Sequence, residues 1–185
     1  METINILYCG NLGLCHELET IIRSVHTLNH EVNLKLTFVG TGKAKNILED
    51  LAQELKVDNV RFRQPVPLYK LPDLLSKGDI HLVSQKMGTQ GLLVPSKIYG
   101  ILAVGRPILF IGPFDCEVAS IIIRSGAGII TRPGDINGVA EALRRLVMNK
   151  NIREAMGRNG RDYYKKHFGR NKSISQIIKA IESII

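Results

Sequence analysis

The stretch GLLVPSKIYGILAVGRP, from Gly91 to Pro107, decides how the rest of this chain is read. Pro95 suits the first position of a helix, where its missing N–H leaves nothing unsatisfied. Ser96 and Lys97 then fall in the first turn. Gly100 and Ala103 keep that helix slim, and Gly105-Arg106-Pro107 ends it. The next residues, Ile108–Ile111, form a short apolar run of the kind buried in a parallel sheet. A helix start carries unpaired N–H groups and the positive end of the helix dipole. A lysine beside it costs about 0.3 kcal/mol or more, and an anion between the two reverses that cost. The stretch therefore reads as a site for a phosphate or diphosphate.

Strands and helices alternate on both sides of this segment. Hydrophobic period predicts strands at 4–9, 34–39, 60–63, 79–84, 108–111 and 128–131. It predicts helices at 16–28, 43–55, 68–76, 96–103, 115–124, 135–148, 151–167 and 173–184. The helix at 43–55 is expected to bury Ile47, Leu48, Leu51, Ala52 and Leu55, and Asp135 is the expected cap of the helix it opens. This order implies an α/β fold, a doubly wound, Rossmann-like parallel sheet, as one domain over 1–185. In such sheets ligands bind at the carboxyl ends of the strands. The loops leaving strands are thus the candidates.

The first, Gly10-Asn11-Leu12-Gly13, and the second, Gly40-Thr41-Gly42-Lys43, follow successive strands. Glycine lets backbone approach a phosphate closely. Each loop taken alone reads equally well as a tight turn. Neither fits GxGxxG or the P-loop, which argues against a dinucleotide site and against nucleoside triphosphate hydrolysis. The third, around Pro65 and Val66, can hold a flat base or simply stiffen a connection. The fourth, 85–95, offers Gln90 and Gly91 to sugar hydroxyls. His16 lies just past the first loop, where it can face the same site. No Ser-His-Asp set, metal-ligand spacing or paired carboxylate is present, so catalytic residues are unassigned and no metal is expected.

Composition sets outer limits. The 185 residues are 44% hydrophobic and 23% charged, with a formal net charge of +8. A domain of that size buries roughly 70% of its unfolded surface. No run reaches the roughly 18 apolar residues of a membrane span, and the N-terminus does not read as a signal peptide. Cys9, Cys15 and Cys116 read as reduced thiols of a cytoplasmic protein. The basic excess towards the C-terminus reads as solvated helix faces or as attraction to an anionic membrane or substrate. With no Trp and no interleaved aromatics, nucleic acid is not an expected partner.

YCGNLGLCHELET at 8–20, LTFVGTGKAK at 36–45, the segment 59–85, GLLVPSKIYGILAVGRPILFIG at 91–112 and GAGIITRPGD at 126–135 occur in an order that resembles the C-terminal half of family 4 glycosyltransferases. The resemblance is to the branch built around VPSKxYGxxAxGRP, similar to fucosaminyltransferases of cell-surface polysaccharide assembly. It implies a GT-B fold and retaining hexosyl-type transfer from a nucleotide sugar, usually a UDP-sugar, without a metal. It places Gly10, Asn11, Leu12, Gly13, His16, Gly40, Gly42, Lys43, Pro65, Val66, Gln90, Gly91, Val94, Pro95, Ser96, Lys97, Tyr99 and Gly100 around the donor. Many members grip the diphosphate with Arg and Lys in the first loop, where this chain has Asn11 and His16. Many carry two glutamates where it has Leu92 and Gly100. Diphosphate binding then falls to Ser96, Lys97 and the helix start.

The acceptor half, which in the family often takes a polyprenyl-linked saccharide at the inner membrane face, is not in this sequence. The chain is accordingly expected to be inactive alone. Residues 170–185, with Ile174, Ile177, Ile178, Ile181 and Ile185, would pack towards that half. The other readings are half of a GT-B sugar-nucleotide epimerase and a non-catalytic nucleotide-sugar-binding subunit.

Overall fold

The computed structural model describes residues 2–28, 31–92 and 95–169, together with 174, 178 and 182. Six strands form one parallel sheet: β1 (Ile4–Cys9), β2 (Leu34–Val39), β3 (Val60–Arg63), β4 (Ile80–Ser84), β5 (Ile108–Ile111) and β6 (Gly128–Thr131). Their order is β3-β2-β1-β4-β5-β6, the doubly wound arrangement expected from the sequence. The helices are α1 (Glu19–Leu28), α2 (Lys45–Glu54), α3 (Leu71–Ser76), α4 (Lys97–Val104), α5 (Glu117–Ser125), α6 (Ile136–Met148) and α7 (Lys150–His167). A single 3-10 turn, Leu68–Lys70, leads into α3.

Every residue of β4 and β5 is buried, as expected of strands covered on both faces, and β5 is apolar throughout. Successive side chains alternate across the sheet. Leu109 and Ile111 accordingly join the core with Leu18, Ile21 and Val25 of the α1 side and Val139 and Leu143 of α6. Ile108 and Phe110 join the opposite core with Ile98, Leu102, Val118 and Ile122 of α4 and α5. His81 of β4 is buried, and its Nε2–H donates to the Leu75 carbonyl at 2.9 Å. Burial pulls its pKa down to about 4, so it is a neutral core residue.

Two expectations need correction. Helix α1 begins at Glu19 rather than at residue 16. The Cys15 carbonyl accepts from the Lys86 amide and the His16 ring bonds the Ser84 carbonyl, so this stretch is tied to the end of β4. Ile47 is 50% exposed, because α2 buries only the stripe of Leu48, Leu51 and Ala52. Asp135 does cap α6, accepting from the Gly138 amide at 2.8 Å. The expected helix at 173–184 and most of 170–185 lie outside the described residues; Ile174 and Ile178 are each about half exposed.

Helices α4 and α7 pack closely because small residues meet between them. A Cβ on Gly157 would strike the Gly105 carbonyl oxygen. Gly157→Ala is expected to cost about 1–3 kcal/mol by overpacking, read as a lower midpoint in urea unfolding with an unchanged slope.

Candidate functional site

The β1–β4 pairing is confined to Ile6↔Ile80 and Leu7↔His81, whereas β1 and β2 pair over all six residues of β1. The sheet reverses its strand order here, the point at which doubly wound sheets form a ligand crevice beyond the carboxyl ends of their strands. The first glycine loop closes one side of it. Tyr8, fully buried at the end of β1, donates its hydroxyl to the Asn11 carbonyl at 2.7 Å and shapes that loop. His16 is folded back beneath it, edge-on to Tyr8. With Nδ1–H donating to the Ser84 carbonyl at 2.8 Å, Nε2 is left as an acceptor. Burial and the Lys97 charge both lower its pKa, so the ring is neutral near pH 7.

The second glycine loop interlocks with the first. Gly10 N–H donates to Val39 O, Leu12 N–H to Thr41 O and Ala44 N–H to Leu12 O, at 2.8–2.9 Å. Gly40 and Gly42 take positive φ of 155° and 152°, and a Cβ on either would collide with the carbonyls of Gly10 or Leu12. These glycines therefore serve loop-to-loop contact. The amides of Gly10 and Leu12 are spent on the neighbouring loop.

Lys97 enters from the other side, on the first turn of α4. Its Nζ sits 3.7 Å from the centre of the Tyr8 ring. It also lies so close to Gly10 that a Cβ there would be 3.2 Å from it. Nζ is buried and has no hydrogen-bond partner among the described residues. Burial pulls its pKa down to about 7, with Cys9 and Cys15 opposing slightly. The cost that an anion would relieve is thus mainly desolvation, a larger effect than the helix-dipole penalty expected from sequence. No side chain caps the start of α4. Ser84 Oγ, at the end of β4, is likewise buried without a hydrogen-bond partner among the described residues.

Gly10, Asn11, Leu12, Gly13, His16, Gly40, Gly42 and Lys97 are therefore brought together. Ser96 is exposed and Pro95 buried at the start of α4. Lys43 and Pro65 are exposed on the neighbouring loops, with Val66 half-buried. Gln90 points towards the β5 loop, its Nε2 donating to Asp115 at 3.2 Å and its Oε1 buried without a partner. Gly91 is open, at φ 76°. Two residues are committed elsewhere: Tyr99 packs edge-on against Phe168 at 4.8 Å, and Gly100 faces Leu75 between α4 and α3. Val94 lies outside the described residues. Sequence reasoning passed over Tyr8 and Ser84. A tyrosine near the end of a largely aliphatic strand, two residues before a glycine loop, was the available signal for the first. Among the described residues no group of His, Cys, Asp and Glu is placed to hold a metal.

The sequence profile of the family described as "Glycosyl transferases group 1" matches residues 1–163. The chain belongs to this family. Over 144 residues it is 32% identical to the putative colanic acid biosynthesis glycosyl transferase WcaI of Escherichia coli, covering 77% of this chain and 35% of that protein. It is 29% identical over 140 residues to the probable glycosyltransferase WbjE of Pseudomonas aeruginosa, covering 76% and 34%. The chain thus spans about a third of the length of these two relatives. Anabaena HepE, crystallised with UDP and glucose, superposes with a TM-score of 0.83 at 13% identity, covering 98% of this chain and 48% of that one. The C-terminal domain of a Francisella tularensis group 1 glycosyl transferase, LpcC, superposes at 0.74 and 16% identity, covering 90% and 87%. The fold is the Rossmann-like domain of GT-B glycosyltransferases.

A buried, unpaired ammonium destabilises the chain that carries it. The unfolded lysine, with an ordinary value of 10.5, holds its proton over a range where the folded one, near 7, has lost it. Native stability therefore rises with pH between those values. Lys97→Met is expected to raise the melting temperature, by several degrees near pH 6 and by progressively less towards pH 10, in thermal unfolding followed across pH.

Proposed function

We propose that this chain is the donor-binding part of a longer, retaining glycosyltransferase. It takes a nucleotide sugar, with UDP as the preferred nucleotide, in cell-surface polysaccharide assembly. The observation that carries this reading is the unpaired Lys97 ammonium held beside Gly10, between the first loop and the uncapped start of α4. A diphosphate placed there receives a charge-assisted bond from Lys97 and the α4 N–H groups. As the sugar–phosphate bond breaks, those same donors stabilise the charge developing on the departing diphosphate. In this reading His16 Nε2 accepts a hydroxyl of the donor sugar, and Pro65 and Val66 pack against the base. No metal is required in this scheme. HepE with UDP among the structural neighbours and a colanic acid transferase among the relatives support the assignment. The VPSK segment further assigns the chain to family 4 and to its fucosaminyltransferase-like branch.

The second half of the enzyme supplies the acceptor. Leu14, Leu68, Tyr69, Met87, Leu92 and Phe114 are all at least 50% exposed on loops at the carboxyl edge of the sheet. This apolar rim fits a domain closing over the donor, with a lipid-linked acceptor presented at the inner membrane face. Among the described residues no helix is long and apolar enough to cross a membrane.

Titration calorimetry with UDP-glucose, UDP, GDP and ADP tests the reading. UDP compounds are expected to bind, and Lys97→Ala to weaken them about tenfold or more, the value of a charge-assisted bond. No UDP binding at millimolar concentration overturns it. The pH profile supplies a second signature. Free Lys97 is protonated below about 7 and must regain its proton to hold a diphosphate above it. Affinity for UDP-glucose, whose diphosphate does not itself titrate here, is expected to be flat below pH 6. Above pH 7 it should fall by up to about tenfold per unit, and the variant should lose this slope.

A further inference from the structure

A second polar hollow lies at the opposite, amino edge of the sheet, where β4 and β5 begin. Its volume is about 330 Å³, and its cationic lining is Arg106, Lys150, Arg153, Arg158 and Arg161. Three carboxylates share it, Glu2, Asp79 and Glu154. Asp79 is occupied by the Asn5 amide at 2.8 Å. Glu154 reaches Lys150 and Arg158 only at 3.8 Å, in exposed pairs of little energetic weight. Arg153 is turned to the carbonyls of Leu146 and Val147 at the end of α6, and Arg106 to the Ser76 carbonyl. Arg161 is different. Its aliphatic stem lies along Gly105, and its guanidinium has no partner among the described residues.

A second hollow of about 340 Å³ adjoins the first, and the two share Glu2, Lys150 and Arg153. The apolar part of the second hollow's lining is Ile4, Val32, Val147 and Met148, the last 63% exposed, beside Asn33 and Glu31, whose carboxylate is paired with Arg144 at 2.7 Å. A basic cavity thus opens into an apolar one across a common wall. That juxtaposition matches a molecule with an anionic head and an apolar tail, and no part of the donor crevice reaches it.

We propose that the amino edge of the sheet is a second ligand site, for an amphiphile bearing a phosphate monoester. The phosphate sits between Arg158 and Arg161, where guanidinium forks suit its oxygens. The tail passes over the Lys150 and Arg153 stems into the hollow beside Met148. The site is independent of the donor reading, because none of these residues touches the Lys97 crevice.

Monomeric octyl phosphate, with inorganic phosphate and octanol as controls, tests this by calorimetry and amide chemical shifts on the full chain. Octyl phosphate is expected to bind about tenfold or more tightly than either control, with shifts at residues of both hollows. Arg158→Ala with Arg161→Ala should weaken it about tenfold, and Met148→Asp should weaken octyl phosphate but not phosphate. UDP binding, measured in parallel, should be unchanged in these variants. Absence of octyl phosphate binding, equal binding of inorganic phosphate, or an undiminished affinity in the double variant overturns the proposal. So does binding confined to phosphatidylglycerol vesicles, which reports surface charge rather than a site.

Discussion

The parting of β1 and β4 is the constraint on which the functional architecture depends. Strands that pair over only two residues and then diverge cannot close the sheet above the pairing. The gap must be filled by side chains and loops. The chain fills it with Tyr8, His16 and Lys97, which sets an ammonium over the Tyr8 ring without a hydrogen-bond partner among the described residues. Everything else at this edge is arranged around that position. The His16–Ser84 bond ties the first loop to β4, and the backbone bonds between the glycine loops tie the second loop to the first.

The two sides of the molecule use arginine and lysine differently. At the carboxyl edge the ammonium of Lys97 is buried, and burial makes its charge costly. At the amino edge the cations are exposed or turned to backbone carbonyls, and several of them serve the ends of helices. Net charge alone does not distinguish these uses. Burial does, because desolvation raises the worth of one well-placed ion pair far above that of several screened ones.

Much of the fold was legible in the chain's periodicity. The apolar run at 108–111 announced a strand covered on both faces, and Asp135 marked its helix start because a cap is a local signal. The start of α1 was not legible, because residues 16–18 keep helical spacing while long-range bonds to β4 hold them out of the helix. Ile47 was misplaced because its position beside Leu48 fits a helical stripe until the sheet decides which face is covered. At the site, Lys97 and the glycine loops were visible as residue types. The work those glycines do on each other was not, since a glycine bearing on a phosphate and one bearing on a carbonyl read alike. Tyr99 and Gly100 lie in the same segment as Lys97 but face the α4 packing contacts, which only the third dimension shows.

The interlocking of the first two loops limits how this edge can be rebuilt. Each of Gly40 and Gly42 fits against a backbone carbonyl of the other loop, so neither loop has a shape of its own to lend. Transplanting one of them from a relative would leave it without its counterpart, and the pair is the smallest unit that can be grafted. The connection after β3 is freer, since the side chains of Pro65, Leu68 and Tyr69 stand out in solvent. Recombination between family members can therefore exchange that connection by itself, separating the part that would read a base from the part that would hold a phosphate.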